Sequence, residues 1–260
     1  MDFESAATAT DAMVASLATA ACSAESIIAK ERPAAEAKLS TLAAAAKRVK
    51  EAPRTTAESR LRAPKEKVVL CHSRGGVSLR DCNAVVLWAD TLIAPARFRQ
   101  QSNNPSIGGV SFWHESVVTH AAQVLDGGFL IHEDLDPTAP GGKLGYKEEK
   151  SPQSAKGVRV WFEDLEALKW VFVLKNDPPL EKPKGSKSWS VGVFLIDAKT
   201  GAEHGSTHVE VSCSDVSYVY ANGPNAGGYA GSSSCINHSG RNAFNLALLS
   251  QIPSIEIKAQ

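Results

Sequence analysis

The chain has 260 residues, with 28 Lys and Arg against 28 Asp and Glu, 43% hydrophobic residues and 22% charged residues. That balance excludes a wholly disordered chain, and the zero net charge excludes a protein that coats nucleic acid with its entire surface. The charge is nonetheless segregated: residues 1–27 carry four acidic residues and no Lys or Arg, whereas Ile28 to Arg80 hold 13 Lys and Arg against five Glu.

Taken from the start, 19 of the 37 alanines fall in the first 60 positions. Alanine is the strongest helix former, so these positions read as helix until a breaker intervenes. Pro33 is that breaker, which predicts one helix from about Thr10 to Glu31 and a second from Pro33 to Glu51. The apolar faces, Met13, Leu17, Ala20, Ala24 and Ile27 on the first and Leu39, Leu42, Ala46 and Val49 on the second, are narrow and suit pairing with a partner chain.

Next comes the basic tract Lys47, Arg48, Lys50, Arg54, Arg60, Arg62, Lys65, Lys67 and Arg74, set among Ala, Thr, Ser and Pro. With almost nothing large and apolar from Lys50 to Lys67, it cannot offset its own ordering entropy. The expectation is an arm that stays mobile until a polyanion or a neighbouring subunit orders it. Two structural readings compete with phosphate binding. The tract can be a solvated linker, and Lys47, Arg48 and Lys50 suit the negative end of a helix dipole. No aromatic residue interleaves these cations, so contact with a duplex backbone fits better than stacking on single-stranded bases. Lys143, Lys147, Lys150 and Lys156 on a later Gly, Pro and Lys rich loop offer a second contact.

From Lys67 the texture becomes that of a folded domain. Strands are expected at Val68–Cys71, Val158–Phe162, Trp170–Leu174, Trp189–Ile196, Thr207–Tyr220 and Ile255–Ile257, and helices at Glu115–Leu125 and Arg241–Gln251. Ala84–Ala94 reads as either. Within the Thr207 strand, His208, Glu210, Ser212, Ser214 and Ser217 alternate imperfectly with Val209, Val211, Cys213 and Val216, as a half-buried strand should. The expected class is α+β, with a helical extension and basic arm over 1–66 and a mixed, β-rich core over 67–260.

Other constellations carry less. His114 and His120 are six residues apart, about 600° of helix rotation, so they do not form the i, i+4 zinc pair, and His204 and His208 sit in a β pattern with no third ligand. The carboxylate groups Glu133, Asp134, Asp136 and Glu163, Asp164, Glu166 read as solvated turns or helix starts. Gly223 to Gly231 lacks the Lys and Ser/Thr of a phosphate loop, so no metal and no cofactor is expected. Cys235 with His238, Cys213 with His238, or Cys71 with His132 are the raw material of a thiol hydrolase or deamidase, and that is the alternative to a non-enzymatic protein. The five cysteines, Cys22, Cys71, Cys82, Cys213 and Cys235, are odd in number and irregular in spacing, with an acidic rather than basic start before them. A reducing, intracellular setting is expected. No apolar run reaches the roughly 18 residues that span a bilayer, so no membrane partner is expected.

The Ala-rich helical start, the basic Ala, Pro, Ser and Thr middle, and the mixed C-terminal part resemble the proline-alanine-serine-rich protein of polymycoviruses, fungal viruses with double-stranded RNA. Ala, Ser and Pro together make up 77 of the 260 residues. The resemblance is one of layout and composition. It implies a capsid-like protein that associates with double-stranded RNA without sequence preference and assembles with copies of itself, in some members into flexuous filaments. It places the protein in the virion and the host cytoplasm.

Overall fold

The computed structural model describes residues 3–72, 82–97, 115–126, 155–178, 180, 186–214 and 243–259. Helices lead at the N-terminus and a mixed sheet follows, so the class is α+β as expected. The chain divides into two compact units that are not contiguous in sequence: Met1–Ser40 with Pro95–Arg97 and Ser116–Ala167, and Thr41–Ala94 with Phe98–Glu115 and Leu168–Gln260. Residues 41–66, assigned from the sequence to the extension, are therefore counted with the sheet.

Helix α1, Phe3–Glu51, is continuous through Pro33, against the expected break. Proline removes one intrahelical hydrogen bond and costs about 3 kcal/mol, a penalty that the Ala-rich turns on both sides outweigh. In the first unit, the segment of α1 up to Ser40 buries Ala24 and Ala35. The same unit holds α3, Glu115–Leu125, and α4, Ala155–Ala167. The expected strand Val158–Phe162 is part of α4: its β-branched residues suit a strand, but Val158, Phe162 and Leu165 are buried at helical spacing. Two cations of α1 serve helix ends, where carbonyls lack partners. The Arg32 guanidinium donates to Leu125 O at 3.1 Å, and the Lys38 ammonium donates to Glu166 O at 2.9 Å.

His120 of α3 lies 4.9 Å from the Trp161 ring of α4, and burial pushes the pKa of its imidazole down from the ordinary histidine value. The folded unit thus refuses a proton that the unfolded chain accepts near pH 6.5. Stability from this source is present above about pH 6.5 and is lost as pH falls below it. Thermal midpoints at pH 7.5 and 5.5 should differ less in His120→Phe than in the parent, and an equal difference would remove His120 from the account.

In the second unit, the described residues form one mixed sheet of six strands in the order β5-β4-β3-β2-β1-β6. Strands β1 (Val68–His72), β2 (Ala84–Trp88), β3 (Trp170–Asn176) and β6 (Ile255–Ala259) are mutually parallel, and β4 (Ser186–Asp197) and β5 (Glu203–Ser214) add an antiparallel hairpin beside β3. The ambiguous run Ala84–Ala94 resolves into β2 followed by α2, Ala89–Ile93. Central β3 is buried on both faces from Trp170 to Leu174, which explains its unbroken apolar sequence. On one face Phe172, Leu174, Val191, Val193 and Val209 join Phe244 and Leu248 from α5, a helix over residues 243–251, and Ile252 just after it. Val171, Val173, Phe194 and Ile196 alternate with these and are buried on the opposite face. The hairpin turn is fixed by Asp197, whose side chain accepts the amides of Lys199 and Thr200, both at 2.8 Å. Burial alone would raise this carboxyl, but those amides outweigh it and hold the pKa below the usual range.

Strand β5 would be an open edge. Residues 52–67 close it. Leu61 makes an antiparallel bridge to Gly205, and the Arg62 amide donates to His204 O at 2.7 Å. Gly205 has φ +88° and a Cβ there would collide with the Arg60 carbonyl. Gly205→Ala should therefore destabilise the unit by about 1–3 kcal/mol, read from the denaturation midpoint, and an unchanged midpoint would mean that the edge contact contributes nothing.

Candidate nucleic-acid interface

The basic tract folds back onto its own unit. This overturns the expectation of an arm that a partner must order. The physical reason is that the sheet supplies the partners which the tract itself lacks. Residues 52–67 form a strap across the β5 edge, with Thr55 on one side and Leu61 in the core cluster on the other. The Lys175 ammonium donates to Ala52 O at 2.5 Å and to Pro53 O at 3.2 Å. Asp177 Oδ2 accepts both the Thr55 amide at 2.9 Å and its hydroxyl at 2.6 Å. Leu61 N donates to Gln251 Oε1 at 2.8 Å, and Gln251 Nε2 in turn donates to Thr207 Oγ1 at 2.7 Å. Between these anchors Thr56, Glu58 and Ser59 close a local turn. The Thr56 hydroxyl, together with a backbone amide, holds the Glu58 carboxyl below its usual pKa.

The nine expected cations divide by what surrounds their charge. Lys50 pairs with Asp90 and Lys67 with Glu256, both at 2.6 Å, and the Lys67 ammonium holds the pKa of Glu256 below the ordinary carboxylate value. Arg48, Arg54 and Arg60 bond backbone carbonyls instead: Gly201 O at 2.7 Å, Pro178 O at 2.5 Å, and the carbonyls of Ala57 and Ser59. A carbonyl takes an N–H without discharging the guanidinium, which has five donors in all, so these side chains are aimed and still cationic. Lys47, Arg62 and Lys65 are exposed. Among the described residues, Lys47, Arg48, Arg54, Arg60, Arg62 and Lys65 form no ion pair. Arg74 lies outside the described residues, as do Lys143, Lys147 and Lys150, and the side chain of Lys156 is not described.

The sequence reading missed the cluster beneath the strap. Asp177 and Thr55 are buried, and the Asp177 carboxylate lies 3.5 Å from the Lys175 ammonium. Thr55 Oγ1 lies 2.9 Å from His208 Nδ1, and His208 Nε2 lies 3.0 Å from Ser190 Oγ and 3.5 Å from Glu210 Oε2. Gly192 makes room for this arrangement, since a Cβ there would stand 2.5 Å from Asp177 Oδ2 and 3.0 Å from Thr55 Cγ2. The alternation of His208 and Glu210 with Val209 and Val211 was the available signal, but nothing local connects either to Thr55, 153 residues from His208. A shallow concavity of about 590 Å³ opens beside the strap, lined by Arg60, Leu61, Thr207, His208, Ser250 and Gln251.

Among the described residues no group of His, Cys, Asp and Glu is arranged to hold a metal ion, and no helix is long and apolar enough to cross a membrane. The paired Cys and His candidates fall outside the described side chains. Cys82, which is buried, is disulfide-bonded, where the sequence led to the expectation of a reducing setting. No protein-family model, no curated protein and no solved structure matches this chain.

Proposed function

We propose that this chain is an RNA-coating, capsid-like structural protein that holds nucleic-acid backbone along its basic strap and assembles with copies of itself into a filament. The observation that carries this reading is the set of six cations between Lys47 and Lys65 that form no ion pair among the described residues and sit on a backbone fixed to the sheet. Fixed cations lose less entropy on meeting phosphates than a mobile arm would. No aromatic residue accompanies them, so they suit a duplex backbone better than stacking on single-stranded bases. Layout and composition, which resemble the proline-alanine-serine-rich proteins of polymycoviruses, add that the nucleic acid is double-stranded RNA. The acidic N-terminal residues of one copy complement the basic strap of the next, which favours head-to-tail assembly.

The test is the 260/280 nm absorbance ratio of protein purified at low salt from its natural source, before and after nuclease and high salt. The expected result is a high ratio that falls on treatment. A protein-like ratio throughout would overturn the coat reading and leave the strap as a contact between subunits.

A further inference from the structure

The hydrogen bonds beneath the strap have a direction that can be worked out from their donors. Asp177 Oδ2 accepts the Thr55 amide and, at 2.6 Å, the single Thr55 hydroxyl proton. The Thr55 oxygen therefore accepts from His208 Nδ1, 2.9 Å away, which puts the imidazole proton on Nδ1. In the neutral imidazole Nε2 then carries the lone pair, facing Ser190 Oγ at 3.0 Å, and the serine hydroxyl donates to it. This is the polarity of a serine activated by a histidine base, with a threonine inserted between the histidine and the buried acid.

Two further features fit that chemistry. Glu210 Oε2, 3.5 Å from Nε2, would stabilise the imidazolium that forms when His208 takes the serine proton. Ser190 also lies just past the carboxyl end of parallel strand β3: Asn176, the last residue of β3, pairs with Val191, while His208, opposite Gly192, is level with Lys175. Ligands of open sheets with parallel strands bind at that end. The side chains of Asp177 and His208 are 2% and 4% exposed, and Ser190 is half-buried at the outer end of the line.

We propose that Ser190 is the nucleophile, and His208 the general base, of an ester-cleaving site for small carboxylic esters, beyond the nucleic-acid role of the strap. Ser190 Oγ attacks the ester carbonyl as its proton passes to His208 Nε2. The ester C–O bond then breaks, and the leaving alkoxide takes that proton as an alcohol. Water, deprotonated by the same Nε2, cleaves the acyl-Ser190 bond to release the acid and restore the serine. Thr55 and Asp177 orient the imidazole.

The full-length chain, incubated with a fluorophosphonate probe and peptide-mapped, should carry an adduct on Ser190, formed by loss of fluoride. The adduct should be absent in Ser190→Ala, and its rate should fall at least tenfold in His208→Gln and when the chain is denatured. Because His208→Gln also removes a hydrogen bond to the strap, the burst of p-nitrophenol from p-nitrophenyl acetate is compared in the parent and in Ser190→Ala at matched denaturation midpoints. A burst that disappears in Ser190→Ala supports the site. No adduct on Ser190, or one formed equally fast by denatured protein, would overturn it and leave the cluster as a clamp for the strap.

Discussion

Asp177→Ala is expected to lower the stability of the sheet unit by about 3–5 kcal/mol, the range for removing one partner of a buried ion pair. The carboxylate receives the amide and hydroxyl of Thr55 and faces Lys175, with side-chain exposures of 2% for Asp177 and 14% for Lys175. Without it, the Lys175 charge and the Thr55 amide are buried with no anion to meet them. The start of the strap loses one of its anchors at the same time, because Thr55 holds it to this carboxylate, beside the Lys175 bonds to Ala52 O and Pro53 O. Denaturant midpoints report the first effect. Limited trypsin digestion reports the second, since Arg54, Arg60, Arg62 and Lys65 are all cleavage sites. Faster cutting at these positions in Asp177→Ala, with partial recovery of stability in Lys175→Met/Asp177→Ala, is the expected pattern. Equal stability and equal cutting would mean that the strap is held by its other anchors, the Lys175 bonds to Ala52 and Pro53, Leu61 and the β5 edge.

Arg54→Ala/Arg60→Ala/Arg62→Ala should weaken binding to double-stranded RNA of any sequence and lower the slope of log K against log salt by roughly 2 to 3, close to 0.9 for each phosphate that is no longer neutralised. The fold should survive, because the side chains of Arg54 and Arg60 reach only backbone carbonyls and Arg62 is tied to β5 through its amide. The paired control is Lys50→Ala/Lys67→Ala. Those ammonium groups already face Asp90 and Glu256, so their removal should change the slope by less than about one. Salt-dependent filter binding or fluorescence anisotropy decides between the two sets. An unchanged slope in the triple variant, or an equal drop in the control, would show that local charge pairing does not select the residues that hold RNA.

The sequence by itself determined the elements whose information is local. Val68–Cys71 and Trp170–Leu174 are strands because each is a short apolar run bounded by polar residues, and Ile255–Ile257 because its apolar residues alternate with Glu256. Glu115–Leu125 is a helix because its apolar residues recur at helical spacing. Local pattern failed where two local rules compete. Val158–Phe162 has the composition of a strand and the burial period of a helix, and Pro33 opposes Ala-rich turns that continue on both sides of it. Only the tertiary structure decided the fate of the basic tract. Its sequence shows that it has little to bury, yet not that Lys175 and Asp177 meet its backbone, that Gly192 and Gly205 lack the Cβ atoms that would block its path, or that Gln251 receives Leu61. Those hydrogen bonds join residues 122 to 190 positions apart. A pairing at that separation leaves no trace in the period or composition of either partner's own segment, and the same reason hid the line from Asp177 through Thr55 and His208 to Ser190.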